Sequence, residues 1–311
     1  MKTIIIILLI LYLFILLIKK IVKNSQNEIE KCFYYLEARD YLRAIKSGKE
    51  AVKQFPRSAK AYFCLGKAYF LTLNFEFALI NMKKAEELAT DKEDLMHIYG
   101  FLGEIYQALG DLDNALLYSN KCFDLAKELG NKKYKSSALH NIADVFFIKS
   151  ELNKALSYYK KALKEAEEEE KDVIYNSIAL IYREKGDFEK AINYAQKALE
   201  IAKKYSNYLV LTRALLNLGD IYREVGNFSK AETFYLAELD EAKKLNNKSM
   251  EAIIYSSLGV LYIDKYEKSS EYSDLIYAKE YLTKAYNLFE SINEKAKVKE
   301  LLDRVNAIIN S

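Results

Sequence analysis

The chain has 311 residues, with 47 Lys and Arg against 44 Asp and Glu and a net charge of +3. Charges so nearly balanced make no field that would gather nucleic acid, and no stacked aromatic and basic motif argues for it. One proline and ten glycines suit long helices, because both residues are penalised in helix interiors.

The N-terminal segment Thr3 to Ile18 reads TIIIILLILYLFILLI, with Lys2 before it and Lys19, Lys20 and Lys23 after it. As a helix it would rise roughly 24 Å, slightly short of a hydrocarbon core of about 30 Å. Snorkelling lysines, with Ile21 and Val22, close that gap. The expectation is a retained anchor over residues 1–24 that enters the lipid bilayer through Thr3 to Ile18. A cleaved signal peptide is the alternative, but KKIVKNSQ lacks the small residues that processing wants; a buried helix is a third reading. The lysines after the span, under the positive-inside bias, predict a single-pass protein of the cell membrane with the remaining chain in the cytoplasm.

After residue 24 one pattern recurs seven times: a small residue followed three positions later by an aromatic one. The pairs are Cys32/Tyr35, Gly66/Tyr69, Gly103/Tyr106, Ala143/Phe146, Ala179/Tyr182, Gly219/Tyr222 and Gly259/Tyr262. In the first six units an alanine lies 12 positions beyond the small residue, at Ala44, Ala78, Ala115, Ala155, Ala191 and Ala231; in the seventh, Ala278 lies 19 beyond. Successive small residues are 34 to 40 positions apart, the period of two helices and two turns. The predicted fold is therefore all-α: an α-solenoid of about seven helix-turn-helix repeats. Such an array grows without one large core, so it counts as one domain despite its length. The repeats are expected at 25–58, 59–95, 96–135, 136–171, 172–211, 212–251 and 252–290, with a capping helix over 291–311.

The sixth unit shows the logic. Leu215, Leu218, Gly219 and Tyr222 fall on one helical stripe, and a side chain at Gly219 would hold the second helix away. The turn Gly226-Asn227-Phe228 ends the first helix, as do Gly110-Asp111-Leu112, Ser150-Glu151-Leu152 and Gly186-Asp187-Phe188 in other units. Leu-Gly, Tyr, then Ala, aromatic and Ala, visible in YFCLGKAYFLTLNFEFALINMKKA from Tyr62 to Ala85, resembles the tetratricopeptide repeat family. The resemblance covers about Ser25 to Leu288 and implies a right-handed superhelix. The forty-residue spacing and Asn217-Leu218-Gly219 look most like the longer-helix variety found in kinesin light chains and many bacterial regulators.

Three departures stand out. Unit one has Lys31 where other units carry Leu or Ile, as expected of a polar first repeat. Unit six places Glu238 where Ala51, Ala85, Ala162, Ala198 and Ala285 line the second helix; either Ala237 takes over that contact by a small rotation, the favoured reading, or Glu238 is paired or functional. Unit seven inserts seven residues around Asp264 to Tyr277, read as a long turn or, alternatively, a docking protrusion.

Catalytic motifs are missing: no phosphate loop, no His-Glu-x-x-His, no Cys-x-x-Cys and no dinucleotide turn. His97 and His140 lack a carboxylate or thiol cluster and are read as ordinary structural residues, as are Cys32, Cys64 and Cys122, three small packing residues. Asp111 to Asn114 lacks the bidentate Glu of a calcium loop. No enzyme, metal, cofactor, small-molecule substrate or nucleic acid is expected, and the remaining function is binding. The face of each first helix opposite the Leu-Gly-Tyr stripe offers Asn141, Asp144, Ser177, Leu180, Arg213, Asn217, Asp220 and Ser257 as a peptide-binding set. Amides among apolar side chains suit an extended backbone, and resemblance to kinesin-light-chain-like repeats implies that Asn141 and Asn217 hold it. The competing reading is that Arg183, Arg213 and Arg223 pair with Asp144, Asp220 and Glu184 between neighbouring helices. Ile29 and Phe33 stand where relatives that grip chaperone tails carry Lys and Asn, so that ligand is not expected. The sequence thus predicts a membrane-tethered scaffold for protein or peptide partners, or alternatively a signal-responsive regulator of a separate enzyme.

Overall fold

The computed structural model describes residues 28–310. Fifteen α-helices lie among them, in two compact units that divide after Glu165. The first unit contains α1 (Glu28–Glu37), α2 (Tyr41–Gln54), α3 (Ala59–Leu71), α4 (Phe75–Leu88), α5 (Lys92–Ala108), α6 (Leu112–Glu128), α7 (Lys132–Ile148) and α8 (Leu152–Glu165). The second opens on a short 3-10 turn, Glu168–Glu170, and continues with α9 (Lys171–Glu184), α10 (Phe188–Lys204), α11 (Tyr208–Glu224), α12 (Phe228–Lys244), α13 (Lys248–Ser269), α14 (Tyr272–Leu288) and α15 (Ile292–Ile309). Within each unit every helix packs on the next, so odd-numbered helices form one layer and even-numbered helices the other.

The expected transmembrane helix is corrected at this point. Among the described residues no helix is long and apolar enough to cross a membrane, and Thr3 to Ile18 lies outside them. The single-pass topology and the cell-membrane localisation are accordingly withdrawn.

Local chemistry explains the repeating turn. At Gly226 the backbone takes φ +77°, where a Cβ would be strained; its N–H donates to Arg223 O at 2.9 Å and that of Asn227 to Tyr222 O at 2.8 Å, closing α11. Asn227 then caps α12, its side chain accepting from the Lys230 N–H. One dipeptide thus ends one helix and starts the next. Ser150 fills the same role at φ +58° without glycine's freedom. Ser150→Gly is expected to stabilise the chain by about 1 kcal/mol, read as a raised midpoint in urea.

Packing follows the small residues. Ala44, Ala78, Ala115, Ala155, Ala191, Ala231 and Ala278 are all fully buried. A Cβ at Gly259 would come within 2.6 Å of Leu282 Cδ2, and one at Gly219 within 2.5 Å of Tyr235 Cε1, so each glycine is the space a second-helix side chain occupies.

Three expectations change. Cys32 and Cys64 are joined as a disulfide between α1 and α3, while Cys122 stays free and buried, its thiol pushed up to about 12 by desolvation. The bond ties a short end helix to its neighbour. Closing a loop of that length restricts the unfolded chain by about 3–4 kcal/mol, so Cys32→Ser should lower the stability of the oxidised protein by that order and leave the reduced protein nearly unchanged, read in urea with and without reductant. The insertion in unit seven is helical: α13 runs to 22 residues, Ser270 turns the chain at φ +61°, and α14 starts at Tyr272. Lys265–Asp274 at 3.3 Å and the Ser269 hydroxyl donating to Asp274 at 3.1 Å hold the extended tip. Finally, Glu238 is buried and Ala237 is exposed, so the small rotation expected to hide Ala237 does not occur.

Candidate functional site

In the first unit the odd-numbered helices present rings to one another. Phe33 on α1 lies 6.3 Å from Phe63 on α3, which meets Phe101 on α5 edge-on at 5.6 Å. Phe101 in turn meets Phe70 edge-on at 5.5 Å, and His97 stacks on Tyr134 of α7 at 4.6 Å. These rings are all half-buried. Edge-on aromatic pairs contribute about 0.5–1.5 kcal/mol beyond the area they bury. Lys67 lies over Phe101, 5.6 Å from its centroid, and burial lowers the His97 imidazole from its ordinary value, with Lys67 acting in the same direction against Glu93 and Asp94.

Further along this layer the rings give way to polar groups that engage each other. Asn141 hydrogen-bonds Glu104 on the preceding first helix; burial pushes Glu104 up to about 7, the amide opposes that rise and Asp144 adds to it. Asp144 accepts from the Tyr159 hydroxyl and lies 3.4 Å from His140 Nδ1.

The second unit repeats this tactic. Asn217 Nδ2 donates to Asn176 Oδ1 at 2.8 Å. Asp220 accepts from the Tyr235 hydroxyl at 2.6 Å and from Arg183 Nη1 at 3.2 Å, while Arg183 also holds Glu224. Arg223 Nη1 lies 2.6 Å from Asp264. Apart from Asp220–Tyr235, which lies within one helix pair, each contact links a residue to one 37 or 41 positions later. That is one repeat less or plus a fraction of a turn, so neighbouring first helices are stitched by a regular ladder. Of the competing ion pairs, Arg183–Asp220 forms, whereas Arg223 selects Asp264. Ser177, Leu180 and Ser257 are half-buried and Arg213 is exposed.

Glu238 adds an unsatisfied group beside this ladder. Its Oε2 is buried with no hydrogen-bond partner, and desolvation, with the Asp220 carboxylate as a second cause, pushes it up to about 8. Burying a neutral acid costs far less than burying its anion.

The sequence reading named the polar half of this layer and passed over the aromatic half. Counting from each small residue would have found Phe101, which occupies the place of Asn141 and Asn217, two positions before Gly103, Ala143 and Gly219; Phe33, Phe63 and Phe70 stand at other offsets. Among the described residues no cluster of His, Cys, Asp and Glu could hold a metal ion.

Comparison with known proteins gives the fold a name. Models described as tetratricopeptide repeat match residues 34–92, 94–168 and 171–244, together well over half of the chain. A tetratricopeptide repeat protein from Parabacteroides merdae superposes with TM-score 0.60 at 18% identity, over 89% of this chain and 97% of that one. A Rap protein complexed with Competence and Sporulation Factor does so with TM-score 0.65 at 16% identity, over 91% and 86%. The Cut9–Hcn1 hetero-tetramer of the APC/C gives TM-score 0.64 at 15% identity over 89% of this chain, which spans about half (52%) of the matched one. No curated protein sequence matches. Nothing in these comparisons supports the kinesin-light-chain-like variety or an N-terminal anchor. The repeat models and the stacked helix pairs agree, and the chain belongs to the tetratricopeptide repeat family.

Proposed function

We propose that this chain is a non-catalytic scaffold that binds protein or peptide partners on the exposed face of its first helices. The observation carrying this reading is the row of half-buried rings from Phe33 to Phe101. Contiguous apolar surface left half in water gains about 25 cal/mol for each Å² that a partner covers. Asn141, Asp144, Ser177, Leu180, Arg213, Asn217, Asp220 and Ser257 are the corresponding face of the later repeats, proposed as secondary contacts. Those already hydrogen-bonded would have to exchange partners to reach a ligand, which limits what they contribute. Family membership supports the general class, because tetratricopeptide repeats generally serve protein interaction.

Photocrosslinking tests this. A benzoylphenylalanine at position 63 or 101 is expected to capture partner protein, and one at Phe77, exposed on the second helix α4, is not. Equal capture from all three positions would contradict the reading.

A regulatory role is the second reading, favoured by the similar fold of the Rap protein complexed with Competence and Sporulation Factor. It requires that binding alter the response of a separate enzyme. Solution scattering that changes on ligand addition, together with altered activity of that enzyme, supports it; unchanged scattering and activity remove it.

A further inference from the structure

In three repeats a tyrosine four positions before the small residue lies beneath a lysine six positions after the landmark alanine. Lys121 Nζ is 5.1 Å from the centroid of Tyr99, Lys197 Nζ 5.8 Å from that of Tyr175, and Lys284 Nζ 5.6 Å from that of Tyr255. In repeat six the same two places hold Leu215 and Ala237. Both line a cavity of about 490 Å³ bounded by the ends of α10 and α12 and the first half of α11, a size that suits small-molecule sites. Its walls are two second helices and the buried side of a first helix, so it is distinct from the face that carries Arg213 and Asn217.

A third change concerns charge. Glu241 also lines the cavity and stands ten positions after Ala231, where other repeats carry Leu125, Ile201 and Leu288. Repeat four has an acid at that place too, Glu165, and Lys135 holds it at 2.7 Å. The counterpart of Lys135 in repeat six is Leu211, another wall of the cavity. Glu241 is met instead by Lys244 of its own helix at 2.9 Å, and Asp240 also holds Lys244 at 2.6 Å. Repeat six thus keeps a carboxylate while lacking one ring and two ammonium positions that its neighbours supply.

We propose that this cavity binds a small amine built on an aromatic ring. The ring would fill the place of the missing tyrosine against Leu211, Leu215 and Ala237, and the ammonium would meet Glu241, leaving Lys244 to Asp240. An organic acid fits less well, because its carboxylate would approach Glu241. Of the two lysines beside the cavity, Lys203 is exposed at the end of α10 and Lys244 is already shared between two carboxylates. The site lies outside the scaffold reading and does not depend on it.

The test titrates the full chain with four probes followed by NMR: tyramine, its neutral alcohol analogue tyrosol, 4-hydroxyphenylacetate and n-butylamine. Tyramine should bind at least about tenfold tighter than tyrosol and 4-hydroxyphenylacetate, the worth of one hydrogen bond to a charged group, and n-butylamine should not bind. Glu241→Gln should erase the preference for the amine. Leu215→Tyr/Ala237→Lys, which restores the pair found in three other repeats, should abolish binding with helicity unchanged by circular dichroism. Phe63→Ala should bind tyramine as the parent does. Equal binding of tyramine and tyrosol, tighter binding of 4-hydroxyphenylacetate, no binding of tyramine, or tyramine binding that survives Glu241→Gln at full strength would each overturn the proposal.

Discussion

Tyr235→Ala is expected to lower the stability of the chain by about 4 kcal/mol, the cost of emptying a large buried aromatic site. Tyr235 is fully buried, its ring fills the space that Gly219 leaves, and its hydroxyl donates to Asp220 at 2.6 Å. That hydrogen bond anchors the far end of the ring. A methyl group at residue 219 therefore meets an edge that cannot tilt away. Gly219→Ala should cost about 2 kcal/mol by overpacking, although alanine is the better helix former by about 1 kcal/mol. Combining the two changes removes the clash, so the double variant should be less destabilised than the sum of the singles. Urea unfolding of the three variants, followed by circular dichroism, measures this. Strict additivity would mean that the glycine and the ring are not fitted to each other.

The second large effect is on pH dependence. The carboxyl of Glu238 is raised from 4.5 to about 8 in the folded chain, so the folded state holds a proton that the unfolded state releases. Its contribution to stability is complete below about pH 4.5, falls as pH rises through about 8, and is then fully lost. The slope is about 1.4 kcal/mol per pH unit, for a total on the order of 4 kcal/mol. Glu104, raised to about 7, acts in the same direction over a narrower window. The chain should therefore unfold at lower urea concentration at pH 8 than at pH 5. Glu238→Ala should flatten the profile and raise stability at pH 8, since Ala51, Ala85, Ala162, Ala198 and Ala285 are fully buried at the same place in other repeats. A variant whose midpoint falls with pH as steeply as the parent's would show that Glu238 is not the titrating group.

Much of the fold could be read from short-range chemistry. The small residue, the aromatic three positions on and the Gly-Asp or Gly-Asn turn act within one helix pair, where spacing alone decides which side chains meet. What escaped depends on contacts between pairs. The Asn141–Glu104 and Asn217–Asn176 bonds span 37 and 41 positions, so a list of polar residues on one helix cannot reveal that they satisfy one another. The disulfide escaped for the same reason: Cys32 sits at the small-residue position and Cys64 two positions before it. Glu238 was expected to yield its place to Ala237, whereas a carboxyl held neutral by burial can occupy it. Asp264 to Tyr277 was read as a long turn because its Ser and Gly-poor polar residues break the repeat's landmarks; the structure absorbs them as added helical length at both sides of Ser270.

The central division, between rings that recognise and amides that stitch, predicts opposite behaviour for two variants. Phe63→Ala and Asn217→Ala should be compared for urea stability and for capture of partner protein by a benzoylphenylalanine at position 101. Phe63→Ala is expected to weaken capture at least about tenfold, while Asn217→Ala weakens it far less and lowers stability by about 1–2 kcal/mol, the cost of leaving Asn176 unpaired. Lost capture in Asn217→Ala with full capture in Phe63→Ala would contradict that division.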